Sequence, residues 1–208
     1  MEVDKLRHQL DKLSSEISEC KLCDRQGLDV FHSRLMIRGY GTWGIVIGIE
    51  PGNTEIKRGE AFTGAGGKRL FKWLSDAGIG KTKAEIYQKI YFTSLLKCKT
   101  SDRAPMDACI RNCFPYLERQ IGILKPQVAI TLGAEPLQRL FGITVDLSGL
   151  IGEKYNEREL TDTLFPIFPP NTTILPLPHP SPLSRWTNIP INKERLAKAL
   201  CILREMKK

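Results

Sequence analysis

The chain contains 208 residues, of which 41% are hydrophobic and 26% charged, a composition typical of a globular domain and not of a disordered chain. No run of about 18 apolar residues occurs, which excludes a membrane-spanning helix. Residues 1–10 are charged and lack the apolar centre of a signal peptide, so we expect a cytoplasmic protein with no membrane partner. The net charge of +8 is compatible with a nucleic-acid partner.

Apolar residues at helical spacing predict a first helix over residues 3–18, and strands and helices then alternate. In chain order we expect strands around residues 45–47, from residue 90, over 128–132 and over 173–177, with helices around 70–74, 107–124, 137–141 and 196–203. Pro115 predicts a kink or a restart within the helix over residues 107–124. The alternation predicts one α/β domain over residues 1–208, with a central four-stranded, mostly parallel sheet flanked by helices.

Glycine- and proline-rich segments follow the predicted strands, at residues 48–52, 97–99, 132–134 and 178–181. The carboxyl ends of parallel strands share one edge of a sheet, and ligands bind in the crevice outside that edge. These four segments are therefore expected to converge on one site.

Six cysteines in a chain of this type indicate metal binding or catalysis rather than disulfides. Cys20 and Cys23 form a C-x-x-C turn at the end of the N-terminal helix of residues 1–18, Cys98 follows a strand, and Cys109 and Cys113 lie four residues apart on a helix. Thiolates in this number predict a metal site, although the spacing does not separate zinc from an iron–sulphur cluster. The alternative is a set of buried cysteines that act as small hydrophobic residues.

The sixth cysteine, Cys201, lies on the apolar side of the closing helix and is predicted to belong to the core. His8 and His32 have no distinctive sequence setting and are expected at the surface.

Three further residues could carry chemistry in the loops after the strands. His179 lies in a stiff, proline-flanked loop, which favours a functional over a structural histidine. Glu50 lies in a Gly-x-Glu-Pro-Gly turn, where a carboxylate can activate water or stabilise a cation. Phe62 lies among small residues, an arrangement that suits stacking on a flat ligand. The simpler alternatives are a solvated glutamate and a core phenylalanine.

The order of several motifs resembles the uracil-DNA glycosylase superfamily, specifically its iron–sulphur branch, families 4 and 5. GIEPGNTE at residues 48–55 and AFTG at 61–64 are similar to the GEAPG…E…PFxG stretch of the family, and HPSPL at 179–183 to its HPS/HPA motif. Between them lie KC at 97–98, CFPYL at 113–117 and TLGA at 131–134. The resemblance covers nearly the whole chain, from Cys20 to about residue 205.

The resemblance implies a 4Fe-4S cluster held by Cys20, Cys23, Cys98 and Cys113, with Cys109 as the reserve ligand. It implies a hydrolase that excises a flipped, deaminated base, uracil above all, and so initiates base excision repair. We expect a monomer whose partner is DNA containing a damaged base.

The same resemblance implies the roles of individual side chains. His179 would stabilise the anion that develops on the leaving base, and Glu50 would position water or stabilise the cationic sugar. Phe62 would stack on the base, and Leu183 would enter the gap in the DNA. The implied base- and DNA-binding residues are Gly48, Ile49, Pro51, Gly52, Glu55, Phe62, Gly64, Ser94, Ser181, Leu183 and Arg185.

Two positions depart from the family pattern and keep alternatives open. Ile49 stands where the family usually has a carboxylate, so the acid lies one position later, at Glu50. Ser94 stands where an asparagine usually contacts the uracil edge, and a serine cannot make that two-point amide contact. The alternatives are a glycosylase for hypoxanthine or xanthine, a lesion-binding protein without efficient turnover, and a zinc- or cluster-bearing structural protein with no base pocket.

Overall fold

The computed structural model describes residues 2–32, 39–143, 146–161 and 166–207. The helices are α1 (Glu2–Ser18), α2 (Leu22–Arg25), α3 (Asn53–Arg58), α4 (Ala65–Asp76), α5 (Lys83–Tyr87), α6 (Met106–Leu124), α7 (Ala134–Phe141), α8 (Leu147–Leu150), α9 (Glu157–Leu160) and α10 (Pro190–Met206). The strands are β1 (Val30–Phe31), β2 (Gly44–Gly48), β3 (Ile90–Ser94), β4 (Lys99–Thr100), β5 (Val128–Leu132) and β6 (Thr173–Leu177).

The central sheet has four strands in the order β3-β2-β5-β6, and every neighbouring pair is parallel. This confirms the predicted α/β fold. The bounds of β5 and β6 are the same as those predicted from the sequence. Strands β1 and β4 form a separate antiparallel ribbon, in which Val30 pairs with Thr100. The ribbon places the cysteine-bearing segment before β4 beside the carboxyl end of β3.

The strands are apolar on both faces because helices cover the sheet on both sides. Val46 points to one hydrophobic cluster, which contains residues of α4, α5 and α10. Ile45 and Ile47 point to the other cluster, which contains residues of α1, α6 and α7. This two-sided burial leaves the strand ends as the exposed part of the sheet, where a ligand can approach.

Helix α6 continues through Pro115, so the predicted restart of the helix at that residue is wrong. Its buried residues include Cys109, Cys113, Leu117 and Ile121, which recur at helical spacing on both sides of the proline. Burial of this face, by the cysteine cluster before the proline and by the sheet after it, therefore outweighs the hydrogen bond that a proline removes.

The prediction that Cys201 belongs to the core is wrong, because this residue is exposed on α10. The buried residues of the helix are Asn192, Leu196, Ala199 and Leu203. Cys201 lies two residues from both Ala199 and Leu203, which turns it about 200° away from that face at 3.6 residues per turn.

None of the helices in the described ranges is long and apolar enough to cross a membrane.

Candidate active site

A cavity of about 640 Å³ opens at the carboxyl ends of the central strands, where the sequence predicts the site. Its lining brings together both predicted catalytic residues and all but one of the predicted base- and DNA-binding residues. Those in the lining are Gly48, Ile49, Glu50, Pro51, Gly52, Glu55, Phe62, Gly64, Ser94, His179, Ser181 and Leu183. Arg185 is exposed outside the lining, immediately before the short 3₁₀ turn Trp186–Asn188.

Glu55 joins the two glycine-rich segments that form one wall of the cavity. Its Oε1 accepts a hydrogen bond from the backbone N–H of Gly64 at 2.8 Å. A Cβ atom added to Gly52 would lie 2.5 Å from Oε2 of Glu55, so a side chain at this position would displace the carboxylate. The acid of α3 therefore fixes the loop after β2 against the loop that carries Phe62.

Phe62 has a left-handed backbone conformation, with φ of 55°, which is uncommon for a residue with a side chain. Its carbonyl oxygen lies only 1.8 Å from where a Cβ atom of Gly67 would be, so the first turn of α4 needs glycine there. The ring packs against Phe92 of β3, with the ring centroids 5.5 Å apart. An aromatic held in a strained conformation at a cavity wall is typical of a binding residue.

His179 is held with one ring nitrogen as an acceptor. The backbone N–H of Ser181 donates to Nδ1 of His179 at 3.2 Å. In the neutral ring the hydrogen must then be on Nε2, which is available to donate to a ligand. Although the side chain is open to solvent at the cavity mouth, desolvation by the protein around the ring lowers the pKa of His179, while Glu135 acts in the opposite direction.

Arg69 of α4 anchors the loop that carries His179, a contact that the sequence did not predict. Its guanidinium donates from Nη1 to the carbonyl oxygen of Ser181 at 3.0 Å. Leu183 projects from the same loop with 90% of its surface exposed, and its N–H donates to the Ser181 hydroxyl at 3.2 Å. The leucine is thus presented to solvent from a loop that is braced on both sides of Ser181.

Glu50 lines the cavity, but its carboxylate already has partners. Oε1 accepts from the ammonium of Lys99 at 3.0 Å, and Oε2 accepts from the backbone N–H and hydroxyl of Thr100 at 2.9 and 2.7 Å. The carboxylate therefore ties β4 to the loop after β2 and places a negative charge at the cavity wall.

Ser94, at the end of β3, is also engaged by the protein. Its hydroxyl donates to the carbonyl oxygen of Leu96 at 2.6 Å. Its own carbonyl accepts from the amino group of Lys97 at 2.5 Å. Burial lowers the pKa of Lys97 to about 7, and the electrostatic interaction with Cys113 acts in the opposite direction.

A second, smaller cavity brings together the four cysteines that the family resemblance selects: Cys20, Cys23, Cys98 and Cys113. Cys109 does not line this cavity and is buried beside it. Burial and the proximity of Cys23 raise the pKa of the Cys109 thiol to about 11. Within the described residues, no three His, Cys, Asp or Glu side chains are close enough together to hold a single metal ion.

Polar side chains surround the sulfur atoms of this second cavity. The amide of Asn112 donates to Sγ of Cys23 at 3.5 Å, and Nδ1 of His32 lies 3.5 Å from Sγ of Cys98. A hydrogen bond with Cys20 raises the pKa of Tyr116 to about 12. Hydrogen bonds to thiolate ligands are a common feature of iron–sulphur sites. His32 is exposed as expected, but the sequence did not place it beside a cysteine.

Comparisons with known proteins agree with this geometry. The family model described as the uracil DNA glycosylase superfamily matches residues 44–204. The type-4 uracil-DNA glycosylase of Sulfurisphaera tokodaii is 30% identical over 172 residues, which cover 77% of this chain and 74% of the relative. The corresponding enzyme of Archaeoglobus fulgidus is 30% identical over 64% of each chain, and that of Pyrobaculum aerophilum is 31% identical over 72% of this chain and 75% of the relative. The chain belongs to the uracil-DNA glycosylase superfamily, which confirms the resemblance of its motifs.

Proposed function

We propose that the protein is a DNA glycosylase that hydrolyses the N-glycosidic bond of uracil in DNA and so initiates base excision repair. The observation that carries this proposal is the hydrogen bond from Ser181 N–H to Nδ1 of His179, at the mouth of a cavity walled by Phe62. It leaves Nε2 of His179 as a donor to an oxygen of a base that stacks on Phe62. The relatives named type-4 uracil-DNA glycosylase support uracil as that base.

The proposed reaction separates charge, because the base leaves as an anion while the sugar becomes cationic. His179 donates from Nε2 to the base oxygen that gains negative charge, without any rearrangement of its braced loop. Glu50 supplies negative charge on the loop after β2, where it stabilises the cationic sugar or positions the attacking water. A target base inside a duplex must first be flipped out, and the exposed Leu183 is placed to fill the gap that the base leaves.

We propose that Cys20, Cys23, Cys98 and Cys113 hold a 4Fe-4S cluster. The donor set fits this group, because four cysteines line one cavity and side-chain donors approach their sulfur atoms. The irons of a cluster are spread over several positions, so its ligands need not be gathered around one point. When bound, the cluster would supply a structural cross-link, since its ligands come from the segment around α2, the segment before β4, and α6.

Excision is tested with oligonucleotides that each carry one uracil, hypoxanthine or xanthine, with strand cleavage measured after alkali treatment. We expect cleavage at uracil and none in an undamaged control. Selective cleavage at hypoxanthine or xanthine would favour the alternative opened by Ser94. Selective binding to the damaged base without cleavage would contradict the proposed glycosylase activity and favour a non-catalytic lesion-binding protein.

DNA binding is expected to weaken steeply with salt, because the net charge is +8 and phosphate contacts release counterions. For about six phosphate contacts, affinity falls by about 10³-fold between about 50 and 200 mM salt. Fluorescence anisotropy should show parallel slopes for damaged and undamaged DNA, because both offer the same phosphates. A salt-independent affinity would contradict an electrostatic interface.

The excision rate is expected to fall at acid pH. Protonation of His179 places a hydrogen on Nδ1, which can then no longer accept the hydrogen bond from the N–H of Ser181. The two hydrogens point at each other, and we expect the loop to be disturbed. Because desolvation lowers the pKa of His179 below its usual 6.5, the fall in rate that His179 causes should lie below that pH. The folded state then binds its proton less readily than the unfolded chain, so stability is also lost as pH falls below 6.5.

The pH prediction is checked by single-turnover rates across the acid range, together with an NMR titration of the imidazole. His179→Ala should lack the acid limb that the wild type shows. A midpoint above 6.5 in the wild-type profile would contradict a desolvated, neutral imidazole.

A further inference from the structure

Lys97 has an unusual position between the two cavities. Only 7% of its surface is exposed, and it lines both the base cavity and the cysteine cavity. A buried lysine is rare unless its amino group has partners. Its Nζ donates to the Ser94 carbonyl oxygen at 2.5 Å, the Thr93 hydroxyl at 2.8 Å and Oε1 of Gln120 at 3.0 Å.

These contacts join the base-facing end of β3 to helix α6. Thr93 and Ser94 are the last residues of β3 and line the base cavity, whereas Gln120 is fully buried on α6. The Thr93 hydroxyl donates to Oε1 of Gln120 at 2.9 Å, and Nε2 of Gln120 donates to the Tyr91 hydroxyl at 3.1 Å. The end of β3 is thus fixed by a buried polar network and not only by its ladder with β2.

The network lies where base recognition would occur. The family resemblance places Ser94 where an asparagine usually contacts the edge of the base. The Ser94 hydroxyl donates to the carbonyl oxygen of Leu96. The placement of the Ser94 backbone therefore decides which groups the end of β3 presents to the cavity. Lys97 contacts that backbone directly, at its carbonyl oxygen.

We propose that Lys97 is a positioning residue that fixes the base-facing end of β3 to α6 and so sets the geometry of base recognition. This inference rests on the proposed glycosylase function. The amino group acts through the placement of Ser94 and Thr93, without contacting the reacting bond. Loss of the amino group should displace the base edge, and a displacement of about 1 Å can cost about 10²-fold in rate.

The test is Lys97→Met, which keeps an apolar stem of similar length and removes the three donated hydrogen bonds. We expect single-turnover excision of uracil at saturating enzyme to fall by about 10²-fold, with the iron content of the wild type. We also expect the preference for uracil over hypoxanthine to shrink, because the base edge is no longer fixed. A role in stability alone predicts a lower melting temperature with unchanged rate and preference, and that result would overturn the proposal.

Lys89→Met is the matched control. Lys89 precedes β3 at the opposite end of the strand, and its Nζ donates to the carbonyl oxygen of Ile79 at 2.6 Å. This variant also loses a lysine hydrogen bond to a backbone carbonyl, but far from the cavity, so its excision rate should match the wild type. If the wild type and this control both fail to excise any base, the proposed function itself is wrong.

A second variant keeps the inference testable if Lys97→Met does not fold. Gln120→Met removes one acceptor of Lys97 from a residue that does not line the base cavity. Lys97 keeps its hydrogen bonds to Thr93 and Ser94 in this variant, so we expect excision to fall less than in Lys97→Met, by about fivefold or more, at unchanged iron content. A wild-type rate and base preference in Gln120→Met would overturn the proposal.

Discussion

Replacement of Cys113 with serine is expected to abolish cluster binding. Cys113 lines the same cavity as Cys20, Cys23 and Cys98, and it is the ligand that would tie the cluster to α6. The anaerobically purified wild type should be brown and contain about four irons per chain, as a 4Fe-4S cluster requires. Cys113→Ser should lose this iron and its visible absorption and become poorly soluble, because the segments around the cavity lose their cross-link.

Cys109→Ser is the matched control, four residues earlier on the same helix. Cys109 is buried in an apolar cluster and does not line the cavity, so its replacement should keep the iron and the solubility. Iron analysis and absorption spectra of the two variants decide between the two cysteines. The reverse result would make Cys109 the ligand, and stoichiometric zinc without iron in the wild type would refute the cluster.

The arrangement of the sheet could be predicted from sequence because it depends on local patterns. Apolar runs such as Val128–Leu132 predict strands that are buried on both faces. Parallel strands then force their following loops onto one edge, which brings His179 and Glu50 to the same cavity. Short-range spacing therefore predicted which residues meet.

The contacts that hold those residues could not be predicted, because they join distant parts of the chain. Arg69 and Ser181 are 112 residues apart, and nothing in the sequence around either residue marks the other as a partner. Glu50 binds Lys99 and Thr100, which lie about 50 residues further along the chain. The position of these two residues depends on how β4 pairs with β1. The error at Cys201 has another cause, since apolar residues cover more than one face of α10 and only packing selects the buried face.

Replacement of His179 or Glu50 is expected to slow bond breakage far more than it affects folding. His179→Ala removes a donor that is held ready by Ser181, and the loss of such a preorganised donor typically costs about 10²–10³ in rate. For Glu50, the sharper variant is Glu50→Gln, because the amide retains an oxygen that can accept from Thr100 while the negative charge is lost. Glu50→Ala would also free Lys99 and weaken the attachment of β4, which mixes catalysis with stability.

Single-turnover excision of uracil separates these effects when it is measured with lesion affinity and melting temperature on the same preparations. We expect rates about 10²–10³ lower for His179→Ala and Glu50→Gln, with affinity and melting temperature close to the wild type. His8→Ala is the matched control, because His8 is exposed on α1 outside the cavity lining, and its rate should not change. Wild-type rates in both site variants would remove the two residues from the mechanism. The next candidates would be Glu55, which lines the same cavity, and Ser181, which lies in the same loop as His179.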